Sequence, residues 1–91
     1  MTILYYAVFK APEDKATRER LLKILSEISK RDETFVWGVS KNKKYITIVS
    51  ESESQAHQRV YWVKNKADIS EEYRKKLVYR IFKVEINKER R

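Results

Sequence analysis

The sequence has no cysteine and only one glycine, one proline and one histidine among its 91 residues. Without cysteine, disulfides and thiolate zinc sites are excluded, and a reducing compartment is expected, which we take to be the cytoplasm. A single glycine excludes both a Gly-x-Ser-x-Gly nucleophile elbow and a glycine-rich phosphate loop. His57 alone leaves too few ligands for a typical zinc site. We therefore expect no catalytic residues, no metal and no cofactor.

Long hydrophobic runs are also missing. The longest apolar stretch near the amino terminus, residues 3–9, is too short to span a bilayer and has no basic residues before it. It predicts a strand of a soluble protein, and we expect no membrane partner.

Positive charge is plentiful. Lys and Arg number 21 against 13 Asp and Glu, which gives a formal charge of +8 and a pI near 9.8. Such an excess in one small domain favours a polyanionic partner, with nucleic acid first and an acidic membrane or protein surface second. Charge that serves solubility alone is the alternative. Charged residues make up 37% of the chain, a composition typical of thermophile proteins and suggestive of an archaeal source.

The clearest structural signal is a hairpin over residues 34–50. With Asn42 and Lys43 at the tip of a basic turn, Trp37 lies opposite Ile48 and Gly38 opposite Thr47. The face expected to be buried consists of Phe35, Trp37, Val39, Ile46 and Ile48. The other face carries Val36, Gly38, Ser40, Tyr45, Thr47 and Val49, and its glycine leaves room for something to approach.

Two elements precede the hairpin. Residues 2–10 predict a central strand, because both of its alternating faces are largely apolar. Pro12, Glu13 and Asp14 then begin a helix whose apolar stripe consists of Ala16, Leu21, Leu25 and Ile28.

The second half is more ambiguous. Residues 58–65 favour a fourth strand by propensity, although Ala56, Val60 and Val63 also fit one face of a helix over residues 54–64. Ser70 is the predicted N-cap of a helix that ends near Leu77. Residues 78–86 favour a last strand over a helix, and residues 87–91 a frayed basic tail.

These elements predict one α+β domain over residues 1–91. The expected architecture is a two-layer sandwich, with an antiparallel sheet of four or five strands and one or two helices on one face, ferredoxin-like or a variant of it. The other face of the sheet is then open to a partner.

Cations and aromatic residues alternate in two places, the hairpin turn and the segment that follows it. Cations neutralise phosphates, and aromatic rings stack on the bases of single strands. The predicted nucleic-acid-binding residues are Lys41, Lys43, Lys44, Tyr45, Arg59, Tyr61, Lys64 and Lys66. For Tyr45 and Tyr61, cross-strand packing on a half-exposed sheet is the structural alternative. The prediction requires that the two groups share one uncovered face.

Strand one followed by helix one, at this length, resembles the small ferredoxin-like subunit of the CRISPR spacer-acquisition complex. That family carries an aspartate at the end of strand one, whereas the matching stretch here is Tyr6-Ala7-Val8-Phe9-Lys10, with no acid before Glu13. The departure removes the residue that would support nuclease activity.

The whole chain resembles the small basic accessory subunits of the crenarchaeal B-family DNA polymerase holoenzyme in size, basicity, lack of cysteine and richness in Lys, Glu, Ile and Tyr. The resemblance implies a non-catalytic protein that binds polymerase and helps it hold DNA. A protein–protein adaptor with incidental charge is the first alternative. The second is a RelE-type ribonuclease toxin, for which the candidate residues are Arg59, Tyr61, Arg74, Tyr79 and Arg80.

Overall fold

Strands and helices alternate along the chain in a computed structural model that describes residues 2–66 and 71–86. In these ranges the elements are β1 (Thr2–Lys10), α1 (Lys15–Arg31), β2 (Val36–Val39), β3 (Tyr45–Ser50), α2 (Glu53–Lys66), α3 (Glu71–Lys76) and β4 (Tyr79–Ile86). The four strands form an antiparallel sheet in the order β2-β3-β1-β4. This is the split βαβ order of a ferredoxin-like sandwich, so the predicted fold class is confirmed.

Strand β1 is central, as its two apolar faces predicted. It pairs with β3 on one side and β4 on the other. Ala7 and Phe9 on one face are buried under the helices, whereas Tyr6 and Val8 on the other face are half-buried. Burial of both faces to different degrees explains why β1 shows no polar alternation.

Helix α1 begins at a cap that its sequence supplies. The Asp14 carboxylate accepts hydrogen bonds from the Thr17 N–H at 2.9 Å and the Thr17 hydroxyl at 2.7 Å. This satisfies a backbone donor that has no partner inside the helix. Leu21, Leu25 and Ile28 are buried against the sheet, as the apolar stripe predicted. Ala16, the first residue of the predicted stripe, is exposed, so its predicted burial is wrong.

The hairpin has the predicted register. Trp37 lies opposite Ile48, and Gly38 lies opposite Thr47. The buried members of the inward face are Phe35, Ile46 and Ile48, and Trp37 packs partly buried against the same core, whereas Val39, which was expected to be buried, is 39% exposed. The turn and the alternation therefore determine which residues share a face, but not how deeply each of them is buried.

The strand predicted over residues 58–65 is wrong, because these residues belong to helix α2. Ser52 caps the helix by accepting from the Gln55 N–H at 3.1 Å, and the Gln55 side chain accepts from the Glu51 N–H at 2.9 Å. This reciprocal pattern resembles a capping box. It starts a helix whose buried face consists of Ala56, Arg59, Val60 and Val63. Packing at helical spacing outweighed the β propensity of the segment.

Helix α3 and strand β4 confirm the predicted short helix followed by a last strand. Tyr73 and Leu77 pack partly buried against the core. The predicted N-cap Ser70 and the predicted tail at 87–91 lie outside the described residues.

Within the described residues, the helices leave one face of the sheet uncovered, and we call it the open face. Across it, Val36, Val49, Tyr6 and Phe82 form one row, and Gly38, Thr47, Val8 and Arg80 form the next. Val36 is 52% exposed and Phe82 is 49% exposed. Among the helices of the described ranges, none is long and apolar enough to cross a bilayer.

Candidate nucleic-acid interface

The β2–β3 turn holds Lys41, Lys43 and Lys44 at one end of the sheet. The Lys43 N–H donates to the Ser40 carbonyl at 2.9 Å, and the Lys44 N–H donates to the Asn42 side-chain oxygen at 3.0 Å. The Ser40 hydroxyl donates to the same Asn42 oxygen at 2.6 Å. These bonds support a left-handed backbone at Lys43, whose φ is 60°, an uncommon value for a residue with a side chain. The turn therefore holds the backbone of the three cations in one defined conformation.

All three turn lysines are exposed, and in the described part of the chain none of them forms an ion pair. The three ion pairs observed there join other residues, in helix α3 and at the end of β1. The turn cations are therefore available to an external anion.

Beside the turn lies a basic groove with a volume of about 480 Å³. Its cationic and aromatic lining consists of Lys10, Arg18, Lys43, Lys44 and Tyr45, and its one carboxylate is that of Glu13. The Lys10 ammonium lies 3.8 Å from that carboxylate. The remaining positive charge makes the groove complementary to phosphate.

Contacts between loops hold the groove together. The Ala11 N–H donates to the Lys44 carbonyl at 2.8 Å, which joins the β1–α1 loop to the hairpin turn. One Arg18 Nη1–H faces the Pro12 carbonyl at 3.4 Å. At its other side, the Tyr73 hydroxyl donates to the Lys10 carbonyl at 2.5 Å, and burial raises the pKa of Tyr73 to about 12. The Tyr73 hydroxyl therefore stays neutral and acts as a structural donor at ordinary pH.

Arg59 was predicted to bind phosphate, but it lies inside the protein at 8% exposure. Its Nη1 donates to the Val49 carbonyl at 2.9 Å and the Thr34 carbonyl at 3.2 Å, and its Nη2 donates to the Thr34 hydroxyl at 3.0 Å. The guanidinium carbon also lies 5.6 Å from the centre of the Phe35 ring. Arg59 joins α2 to the sheet, and we leave it out of the interface.

The other predicted residues of this group lie on α2. Tyr61 is 68% exposed, Lys64 is half-buried, and Lys66 is the last residue of the helix. Trp62, also on α2, is 37% exposed and contacts the Phe35 ring edge-on. Because α2 covers the opposite face of the sheet from Tyr45, the two groups do not share one uncovered face, and the predicted surface of eight residues is wrong.

Tyr45 is brought together with the three turn lysines. Sequence reasoning missed Lys10 and Arg18 as their neighbours in the groove. Lys10 had a usable signal, since alternation along β1 puts it on the same face as Tyr6. Arg18 had no such signal, because its approach to the turn depends on how α1 packs on the sheet.

The residues considered for catalysis are spread over both layers. Tyr79 faces the helices, where its hydroxyl lies 2.7 Å from His57 Nδ1, whereas Arg80 lies on the open face. Within the described residues, no group of three His, Asp or Glu side chains is placed to hold a metal ion.

Comparisons with known proteins add no functional assignment: no protein-family model matches the chain, and no curated protein matches it significantly.

Proposed function

We propose that this protein is a non-catalytic module that binds nucleic acid electrostatically through the basic groove and the turn lysines. The observation that carries the proposal is the groove itself, in which four cations and Tyr45 line a space that has a single carboxylate. Phosphates bound there would release counterions, which is the main source of affinity for proteins that read no base sequence. The resemblance to polymerase accessory subunits extends the proposal to a role beside a larger replication enzyme, with DNA as the favoured nucleic acid.

A salt titration tests the electrostatic step. Fluorescence anisotropy of labelled DNA and RNA oligonucleotides gives the affinity at several salt concentrations. A variant in which Lys41, Lys43 and Lys44 become Gln is expected to bind more weakly and to lower the slope of log affinity against log salt by about 2 for a single strand. Binding by the wild type that is absent at low salt, or that does not weaken as salt rises, would contradict the proposal.

The matched control replaces Lys23, Lys30 and Arg31 with Gln. These residues are exposed on α1, and their replacement removes the same three positive charges. If both variants lose affinity equally, binding reflects net charge alone and the groove has no special role.

A second candidate, a protein–protein adaptor, is favoured by the exposed apolar residues Val36 and Phe82 on one row of the open face. Soluble monomers rarely expose large contiguous apolar patches. Capture of partners from an extract, with and without nuclease treatment, separates the two functions. An adaptor keeps its partner after nucleic acid is destroyed, whereas a nucleic-acid module loses partners that were bridged by it.

A further inference from the structure

The open face carries aromatic rings beside the basic groove. Tyr6 and Phe82 are directly opposite on β1 and β4, where paired Cβ atoms are about 5 Å apart. Tyr45, which is 47% exposed, lies opposite Lys10 at the groove end of the same face. A path along the sheet from the groove therefore passes Tyr45 first and then the Tyr6–Phe82 pair.

The surface is low on one side of these rings, at Gly38 on the edge strand β2. Gly38 and Thr47 occupy the row between Tyr45 and the row of Tyr6, and a Cβ built on Gly38 would meet no atom within 4 Å. The φ of Gly38 is not positive, so the backbone does not require glycine there. The absent side chain leaves the surface low enough for a planar group to approach.

The charges of this face favour a polyanion over a purely apolar partner. Lys10 and Arg80 border the aromatic residues, and in the described strands no Asp or Glu side chain lies on the open face. Glu85, the one carboxylate within a strand, lies opposite Ile3 on the other face. Lys10 is paired with Glu13 in the adjoining loop, but both side chains of this pair are exposed, and apolar rings flanked by cations match the chemistry of bases linked by phosphates.

The exposed aromatic rings indicate whether that polyanion is single-stranded or double-stranded. In a duplex the faces of the bases are already stacked on one another, so a flat sheet with exposed rings can contact only their edges and the backbone. Unpaired bases offer free faces, and stacking on exposed aromatic side chains is how sheet surfaces bind single strands. We infer that the open face binds single-stranded nucleic acid, with bases stacked on Tyr45, Tyr6 and Phe82 and phosphates at Lys10, Arg80 and the turn lysines.

This inference rests on the proposed function and is tested with labelled single-stranded oligonucleotides and the corresponding duplexes. Tyr45→Ala and Phe82→Ala are each expected to weaken single-strand binding about tenfold, with little effect on residual duplex binding. Tyr45→Phe should retain most of the affinity, because the ring is preserved. Tyr61→Ala, which removes a more exposed ring from α2, is the matched control and should leave affinity within about twofold.

Gly38→Val provides a variant that keeps the fold. Its new side chain has room and suits a strand, so thermal unfolding should occur at an equal or higher temperature. Single-strand binding should nevertheless fall, because the valine side chain would rise from β2 beside Thr47, next to the path from Tyr45 to Tyr6.

The inference and the proposed function fail in different ways. If the aromatic variants and Gly38→Val bind as the wild type does, while the turn-lysine variant is weakened, the stacking inference is wrong and the electrostatic function stands. If the wild type binds no nucleic acid, both are wrong. Light scattering that shows a dimer, which Phe82→Ala converts to a monomer, would assign the open face to a second copy of the chain and overturn the inference.

Discussion

Replacement of Arg59 by Met separates its structural position from the phosphate-binding role that the sequence predicted. Methionine keeps an unbranched apolar stem of similar reach, so the packing of the stem is largely preserved. The guanidinium and its three hydrogen bonds are lost. We expect Arg59→Met to destabilise the fold substantially and to leave the affinity for nucleic acid unchanged under conditions where the variant is folded.

The magnitude follows from the individual contacts. A charged donor to a buried carbonyl is worth about 2 kcal/mol net, and this applies to the Val49 carbonyl, which is 2.9 Å away. Thr34 is exposed, so water can replace the bonds to its carbonyl and hydroxyl at little cost. The cation over the Phe35 ring adds about 1 kcal/mol. The expected loss in the free energy of unfolding is therefore about 3 kcal/mol.

Urea denaturation followed by circular dichroism measures this loss. With a denaturant slope of about 1.5 kcal/mol per molar, the midpoint should fall by about 2 M. Lys23→Met on the exposed surface of α1 is the control and should change stability by less than about 0.5 kcal/mol. If the Arg59→Met protein is as stable as the wild type but binds nucleic acid more weakly, the structural role of Arg59 is refuted and Arg59 belongs to the interface.

Two titrating groups give predictions that thermal melts at several pH values can check. Hydrogen bonds from the Thr17 hydroxyl and N–H lower the pKa of Asp14 below its ordinary 3.8, so its stabilisation is complete above that value and is lost as pH falls through the lowered pKa. Asp14→Asn keeps a cap acceptor but does not titrate, so its melting temperature should fall less steeply below about pH 4. Burial raises the pKa of Tyr73 from its ordinary value of 10.0 to about 12. Tyr73 therefore contributes its full stabilisation of the fold below pH 10.0, and this contribution is lost as the pH rises toward 12. Tyr73→Phe should flatten this alkaline loss and cost about 1 kcal/mol at neutral pH for the lost bond to the Lys10 carbonyl. If either variant keeps the wild-type dependence of melting temperature on pH, the assignment of that dependence to Asp14 or Tyr73 is wrong.

The elements that sequence predicted correctly are those whose signals are local. Alternation fixes which residues of a hairpin share a face, so the pairing of Trp37 with Ile48 followed from the turn alone. Asp14, Pro12 and a stripe of leucines at helical spacing similarly specified α1. Local signals also indicated the turn lysines and Tyr45, because a turn exposes its side chains whatever packs elsewhere.

Residues 58–65 show where local signals are insufficient. Their β-branched and aromatic residues favour a strand, yet Ala56, Val60 and Val63 gain more by burial against the sheet as one face of a helix. Ser52 and Gln55 are residue types that cap helices, and this local signal favours the helix over the strand.

By itself, the sequence determined the two-layer class, the hairpin register and the cationic turn, because periodicity and turn chemistry act between residues near in the chain. Only the tertiary structure decided that Arg59 lies in the interior, that Lys10 and Arg18 join the turn, and that Tyr6 and Phe82 share the open face with Tyr45. These placements depend on which strand pairs with which and on which face the helices cover. Both are set by burial of apolar surface among residues distant in the chain, which no local pattern records.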